Sequence, residues 1–288
     1  MARGLNLVQI IGTLTRDPEL KFTAAGLAVL NLQLAGNESI LGSDGQNHEI
    51  AWYHRVTSFG RSAEIAAEQL KQGDAVFVEG RLNFRSWDDP QGQKRSSLDI
   101  TGVRIDALSY GMRKDKATVQ DSLGQPRLLN ALNQISLVGN LTRDAELRYT
   151  PNGHATCRMT IAVNENFRDR TGNDQERVHY IDIQTWRELA EGCAELVKGD
   201  PVYVQGRLVN DSWVDKDGSK RYVTRVEAMR VEFLNRGPGS GGTATRPAAA
   251  RTQPMSAVSP ASAVSAQTSQ GKTLDIDEEF PPEEDLPF

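Results

Sequence analysis

One domain-sized unit occurs twice in this chain. Residues 12–26 (GTLTRDPELKFTAAG) and 139–153 (GNLTRDAELRYTPNG) agree at nine of fifteen positions. Residues 73–87 (GDAVFVEGRLNFRSW) and 199–213 (GDPVYVQGRLVNDSW) again agree at nine of fifteen. The offset is 127 in the first pair and 126 in the second, so the copies differ there by one residue. A period this long exceeds solenoid repeats, which run to about 50 residues, so the unit is a domain. Two homologous domains are expected, at 1–109 and 129–234, joined by a polar connector over 110–128 that contains Gly and Pro. A chain of 288 residues has room for both and a tail.

Each copy reads as mostly β. Ala28, Leu30, Leu32 and Leu34 alternate with polar or smaller neighbours, as do Cys157, Met159, Ile161 and Val163. Period two with one apolar face is a half-buried strand. Earlier strands are expected at 7–14 and 135–141, and later ones at 75–86 and 202–212. Gly80 and Gly206 fall inside the later strands, where glycine marks a bulge or a barrel corner. Helices are expected at 62–70 and 189–197, each stopped by a glycine, Gly73 or Gly199. Three strands, a helix and two strands is the order of the OB-fold, a five-stranded Greek-key barrel. The expected class is all-β, with two tandem OB barrels, one helix in each, and a disordered C-terminal tail.

Such barrels hold single strands by stacking bases on aromatic rings beside a positive groove. Candidate platforms are Tyr53, Phe59, Phe84 and Trp87 in the first copy, and Phe167, Tyr180, Trp186 and Trp213 in the second. Barrel packing is the plainer reading of any single ring. Trp52 is assigned to the core, because His179 stands at its place in the second copy. Trp87 and Trp213 recur at the same loop mouth, before the charged runs DDPQGQKR and VDKDGSKR. Phe167 lies in ENFRDRTGND, flanked by Arg168 and Arg170. Arg16 and Arg143, Arg81 and Arg207, and Arg95 and Arg221 recur in both copies. With Arg168 and Arg170 they are the candidate phosphate contacts.

These residues resemble the bacterial single-stranded DNA-binding proteins, in the form with two OB domains per chain. The resemblance spans both domains, the linker and the tail. It implies that Phe167, Tyr180, Trp186 and Trp213 form the second copy's stacking set. It implies Tyr53, Phe59 and Trp87 for the first, where Ile40 replaces the fourth aromatic, so the domains are expected to hold DNA unequally. It implies a homodimer with four OB domains. It further implies sequence-tolerant binding and protection of single-stranded DNA in replication, recombination and repair.

Residues 237–272 draw 30 of their 36 residues from Gly, Pro, Ser, Ala, Thr and Gln. Such a segment cannot offset its ordering entropy by burial, so a flexible tether is expected over 235–274. The tip, 275–288, has seven acidic residues and no basic one, and ends Asp285, Leu286, Pro287, Phe288. An apolar anchor behind steering charges reads as a docking peptide for partner proteins.

The net charge of −5 is concentrated in that tip, because residues 1–235 carry 29 Lys and Arg against 31 Asp and Glu. A near-neutral body can still present a basic face. No phosphate loop, HExxH or GxSxG is present, and the four histidines lack metal-ligand spacing, so an enzyme, a metal and a cofactor are not expected. Cys157 and Cys193 are assigned to packing, and two cysteines fit a reducing cytoplasm. No signal peptide or apolar span is expected, and the expected site of action is the cytoplasm, in association with the nucleoid. An RNA-binding OB protein and a module binding only proteins are the rival readings.

Overall fold

The computed structural model of the chain describes residues 4–41, 45–88, 94–108, 118–168, 172–214 and 220–234. The expected tether and tip lie outside them. The first copy runs β1 (Leu5–Leu14), β2 (Glu19–Phe22), β3 (Ala28–Leu41), β4 (Asn47–Phe59), α1 (Arg61–Gln69), β5 (Ala75–Asp88) and β6 (Lys94–Ala107). A short hairpin follows, β7 (Thr118–Gln120) and β8 (Pro126–Leu128). The second copy repeats the order with β9 (Leu132–Leu141), β10 (Glu146–Tyr149), β11 (Ala155–Arg168), β12 (Asp174–Trp186), α2 (Arg187–Cys193), β13 (Pro201–Val214) and β14 (Lys220–Phe233).

Each copy closes into a five-stranded barrel. The first is ordered β1-β5-β6-β4-β3 and returns to β1 through Thr13↔Ala35; the second is ordered β9-β13-β14-β12-β11 and returns through Ile161↔Leu141. In each, one parallel pairing interrupts the antiparallel ladder: β4 with β6 at Val56↔Ile100, and β12 with β14 at Ile183↔Val226. The expected OB architecture is present. Short strands β2 and β10 flank the barrels, beyond the five expected in each. The alternating apolar residues point inward: Leu30, Leu32, Leu34, Cys157, Ile161 and Val163 are fully buried. Gly80 and Gly206 mark bulges, where the register of β5 and β13 shifts. A Cβ there would lie 2.2 Å from Thr101 O or 2.1 Å from Glu227 O, so only glycine fits.

The second helix is shorter than the sequence suggests. It spans Arg187–Cys193 rather than 189–197. Ala63 and Ala66 of α1, and Ala190 and Cys193 of α2, are the buried positions and keep the 127 offset, whereas Leu70 and Leu196 follow the 126 offset. The missing residue therefore falls at the helix end. There the chain tightens into turns, with Leu196 N–H on Cys193 O at 3.1 Å and Val197 N–H on Asp200 Oδ2 at 2.9 Å.

The barrels join through β1 and β9, which pair antiparallel from Leu5↔Val138 to Ile11↔Leu132. Val8 faces Ile135, its own counterpart 127 residues on, so a pseudo-twofold axis passes between them. Side chains obey the same axis. Asn6 Nδ2 donates to Leu82 O at 2.8 Å and Asn6 Oδ1 accepts from Leu82 N–H at 2.9 Å. Asn133 repeats both bonds with Leu208, at 2.9 and 3.1 Å. Each asparagine satisfies a backbone pair just beyond a bulge, where the ladder is broken.

The axis is broken at His54, which is buried where the second copy has Ile181. Its Nε2 lies 3.3 Å from Asn133 Nδ2, and its ring stacks on Trp52 with centroids 5.0 Å apart. Burial holds its pKa down to about 3, against a weaker opposite pull from the Leu208 backbone. A base with a depressed folded-state pKa costs no stability above the ordinary histidine range. It destabilises as pH falls from that range to about 3, because the unfolded chain binds the proton first. The variant His54→Ile is expected to lose about 2 kcal/mol less than the parent between pH 7 and pH 5, read from denaturant midpoints. Parallel pH curves for the two proteins would show that His54 does not set the acid limb.

Candidate nucleic-acid interface

β12 presents the second barrel's candidate platform. Tyr180 and Trp186, six residues apart on the strand's outward face, are 49% and 37% exposed. The Trp186 indole N–H donates to Glu227 Oε2 at 3.2 Å, which fixes its ring. Phe167 lies half-buried near the free end of the β11–β12 ribbon, opposite Gln175. The Arg177 guanidinium carbon sits 5.1 Å from the Phe167 ring centroid, a cation–π contact. Below this face runs a groove of about 400 Å³ lined by Arg143, Arg158, Asp182, Gln184, Asp211 and Arg225. Arg225 is paired with Asp211. Arg143 and Arg158 are exposed.

The first barrel is arranged differently. Phe59, at the place of Trp186, is 41% exposed, and Trp87 is half-buried. Ile40, at the place of Phe167, is half-buried too. Tyr53 departs from the expectation of an exposed platform. It is 2% exposed, whereas its counterpart Tyr180 stands open. Tyr53 packs against Ala35 and Ala51, and the connector reaches it there, with Asp121 Oδ2 accepting the Tyr53 hydroxyl 3.4 Å away. Trp52 is in the core as expected, 4% exposed.

The recurrent arginines divide. Arg16 and Arg143 are exposed just beyond β1 and β9. Arg81 and Arg207 do not stand free; they clamp the two barrels reciprocally. Arg81 pairs with Glu165 of the second copy, and Arg207 with Glu38 of the first at 3.4 Å. Arg207 also meets Glu227 at 2.7 Å and is only 7% exposed, so its expected role as a phosphate contact gives way to a buried ion pair. Burial pushes the Glu38 carboxyl upward, against the pull of Arg207. Between the barrels Phe84 meets Tyr180 edge-on at 6.4 Å, and Asn210, the counterpart of Phe84, donates to Tyr53 O at 2.6 Å.

The ladder sets Trp87 opposite Arg95 and Trp213 opposite Arg221 in backbone register. The side chains of Arg95, Arg168, Trp213 and Arg221 lie outside the described residues, as do all of Arg170, Asp285, Leu286, Pro287 and Phe288. The sequence reading missed Arg158, Arg177 and Arg225. It looked for basic residues that recur, and the first copy has Asn31, Ile50 and Asp99 at those places. Outward parity on β11, where Arg158 sits between the inward Cys157 and Met159, would have found the first. No group of His, Cys, Asp and Glu suited to a metal occurs among the described residues. No helix among them is long and apolar enough to cross a membrane.

The sequence pattern of the single-strand binding protein family matches residues 5–108 and, a second time, 132–234. The chain belongs to that family. This is a family of DNA-binding proteins and not of enzymes. The chain is 48% identical over 306 residues to the single-stranded DNA-binding protein of Deinococcus radiodurans, with 100% of both chains covered. It is 46% identical over 291 residues to that of Thermus aquaticus, again with 100% of both covered. The crystal structure of the wild-type Thermus aquaticus protein superposes with a TM-score of 0.66 at 43% identity, covering 85% of this chain and 100% of that one.

Removing one partner of a buried ion pair strands the other charge. Arg207→Ala is therefore expected to cost about 3 kcal/mol of stability in chemical denaturation. Arg81→Ala, from a pair whose arginine is 45% exposed, is expected to cost under about 1 kcal/mol. Equal losses would show that the two clamps are equivalent in solution.

Proposed function

We propose that the chain binds single-stranded DNA without reading its sequence. The observation that carries this is the pairing of Tyr180 and Trp186, outward on one strand, with the exposed Arg143 and Arg158. Every base has a π-face, so such platforms accept any sequence, while arginines neutralise phosphates. The names of the Deinococcus and Thermus relatives support the same ligand. The proposed contacts are Tyr180, Trp186, Phe167 and Trp213 in the second domain, with Phe59 and Trp87 in the first. Tyr53 joins them only if uncovered. Arg16, Arg95, Arg143, Arg168, Arg170 and Arg221 serve as phosphate contacts, with Arg158 added. The proposed domains are 1–109 and 129–234, with a tether over 235–274.

The wider role we propose is protection of single strands in replication, recombination and repair, in the cytoplasm at the nucleoid. Two chains would supply four OB domains. The acidic tip would dock partner enzymes through Leu286, Pro287 and Phe288. The support for docking is its sequence, in which apolar residues follow a run of carboxylates.

Tryptophan fluorescence titrated with oligo-dT at two salt concentrations tests the first reading. Strong quenching that weakens with salt is expected, and Trp186→Ala is expected to lose about 1–3 kcal/mol of affinity. A folded Trp186→Ala protein with parental affinity would remove Trp186 from the platform. A matched oligo-rU competitor decides between DNA and RNA.

Deleting 280–288 tests the tip. It is expected to leave folding intact, abolish capture of replication and repair enzymes, and tighten DNA binding slightly at low salt. The DNA effect should fade as salt screens a tethered polyanion competing for the groove. Undiminished capture of the same enzymes would place docking in the barrels.

A further inference from the structure

The two barrels are related by a pseudo-twofold axis, yet one candidate platform is open and its counterpart is shut. Tyr180 is 49% exposed and Tyr53 is 2% exposed. What shuts Tyr53 is the chain itself. The β7–β8 hairpin extends the sheet beside β3 through a single parallel pairing, Gly36↔Leu128, and Asp121 at its turn reaches Tyr53. Leu128 is 2% exposed there. The following Ala131 donates its N–H to Asn37 O at 2.9 Å.

Asp121 organises the hairpin and the seat together. Its Oδ1 accepts Leu123 N–H at 2.9 Å and Gln125 N–H at 2.8 Å, which closes the turn. Its Oδ2 takes the Tyr53 hydroxyl. A carboxylate is thus laid against a ring whose counterpart in the other barrel, Tyr180, is open. The seat is made by glycine. A Cβ on Gly36 would fall 2.3 Å from the Ala131 Cβ and 2.7 Å from the Trp52 ring. The second barrel has Val163 at that place, so no equivalent seat exists there.

The fit is incomplete. Asn37 Oδ1, Trp52 Nε1 and Arg127 Nε are buried without a hydrogen-bond partner within the protein. The first belongs to the β3 seat, the second to the residue paired with Gly36, the third to the hairpin itself. Unpaired buried polar atoms lower the cost of lifting the segment, since water can satisfy them once it opens.

We propose that the 118–128 hairpin is a self-ligand of the first barrel, an autoinhibitory strap that single-stranded DNA must displace. This rests on the single-stranded DNA reading above. DNA then engages the open second barrel first. A strand long enough to reach the first barrel lifts the strap, uncovers Tyr53 and gains a further stacking surface. The unequal holding of DNA by the two domains becomes an ordered sequence.

Hydrogen exchange of the full chain, titrated with oligo-dT of increasing length, tests this. Short strands that quench the tryptophans are expected to leave the amides of 118–128 as slow as in the free protein. Long strands are expected to speed them about tenfold or more while slowing those of β4. Asp121→Asn keeps the turn acceptor and removes the charge, and Leu128→Ser weakens the apolar anchor. Each is expected to tighten long-strand binding about three- to tenfold and leave short-strand binding unchanged. Connector amides that stay slow in a complex with long DNA and complete quenching would overturn the strap, as would unchanged long-strand affinity in both variants. No quenching at any length would sink the single-stranded DNA reading itself.

Discussion

The β1–β9 pairing is the constraint on which the rest depends. Two barrels that merely shared a linker would each present an independent edge of open backbone groups, a standing invitation to wrong pairing. Joining β1 to β9 removes that edge and makes one continuous sheet through both barrels. Val8 meets Ile135 at the centre, so every further contact arrives in twos. Asn6 and Asn133 tie the bulges, while Glu38 and Glu165 take arginines from the opposite copy. A tandem repeat has become an internal dimer.

Within that symmetric frame the copies have drifted in a compensated way. Arg85 pairs with Asp99 at 3.6 Å in the first barrel, and Asp211 pairs with Arg225 at the same place in the second. The ion pair survives with its signs exchanged, because the cross-strand geometry needs opposite charges but not a particular order. Trp52 and Gly36 in the first barrel correspond to His179 and Val163 in the second. The large indole fills the space that the valine side chain would need. His179 instead reaches Glu165 Oε2 at 2.9 Å, next to the Arg81 clamp. Divergence at one position is absorbed by its neighbour, as close packing requires.

Strands, bulges and the barrel order were legible because each rests on local signals: alternation, interior glycines and a helix between the third and fourth long strands. The repeat made the reading firmer, since each signal occurs twice. What was not legible depends on which surfaces meet. Nothing near Arg207 in sequence marks it as buried against Glu38, which lies 169 residues away. The short β7–β8 hairpin sits in a polar stretch without alternation, and its place is set by Gly36 and Tyr53 rather than by its own propensity. Recurrence was itself a filter with a cost. It selected Arg81 and Arg207, whose recurrence reflects the clamp between barrels, and passed over Arg158, which has no counterpart.

The same separation of duties bears on how a binder of the proposed kind keeps its geometry. Phosphate contacts must be exposed and exchangeable, because the strand has no fixed register on a platform that reads no base. Clamps must be paired, because a free cation at the barrel junction would compete for the strand and loosen the fold. In this chain arginine performs both tasks, and a carboxylate partner across the junction marks the clamps. Arg207, at 7% exposure with two carboxylates, belongs to the frame. Arg143 and Arg158, exposed along the groove, are the proposed phosphate contacts. A near-neutral body can therefore present exposed arginines without excess charge, since carboxylates hold Arg81 and Arg207 at the junction while Arg143 and Arg158 stay on the solvent side.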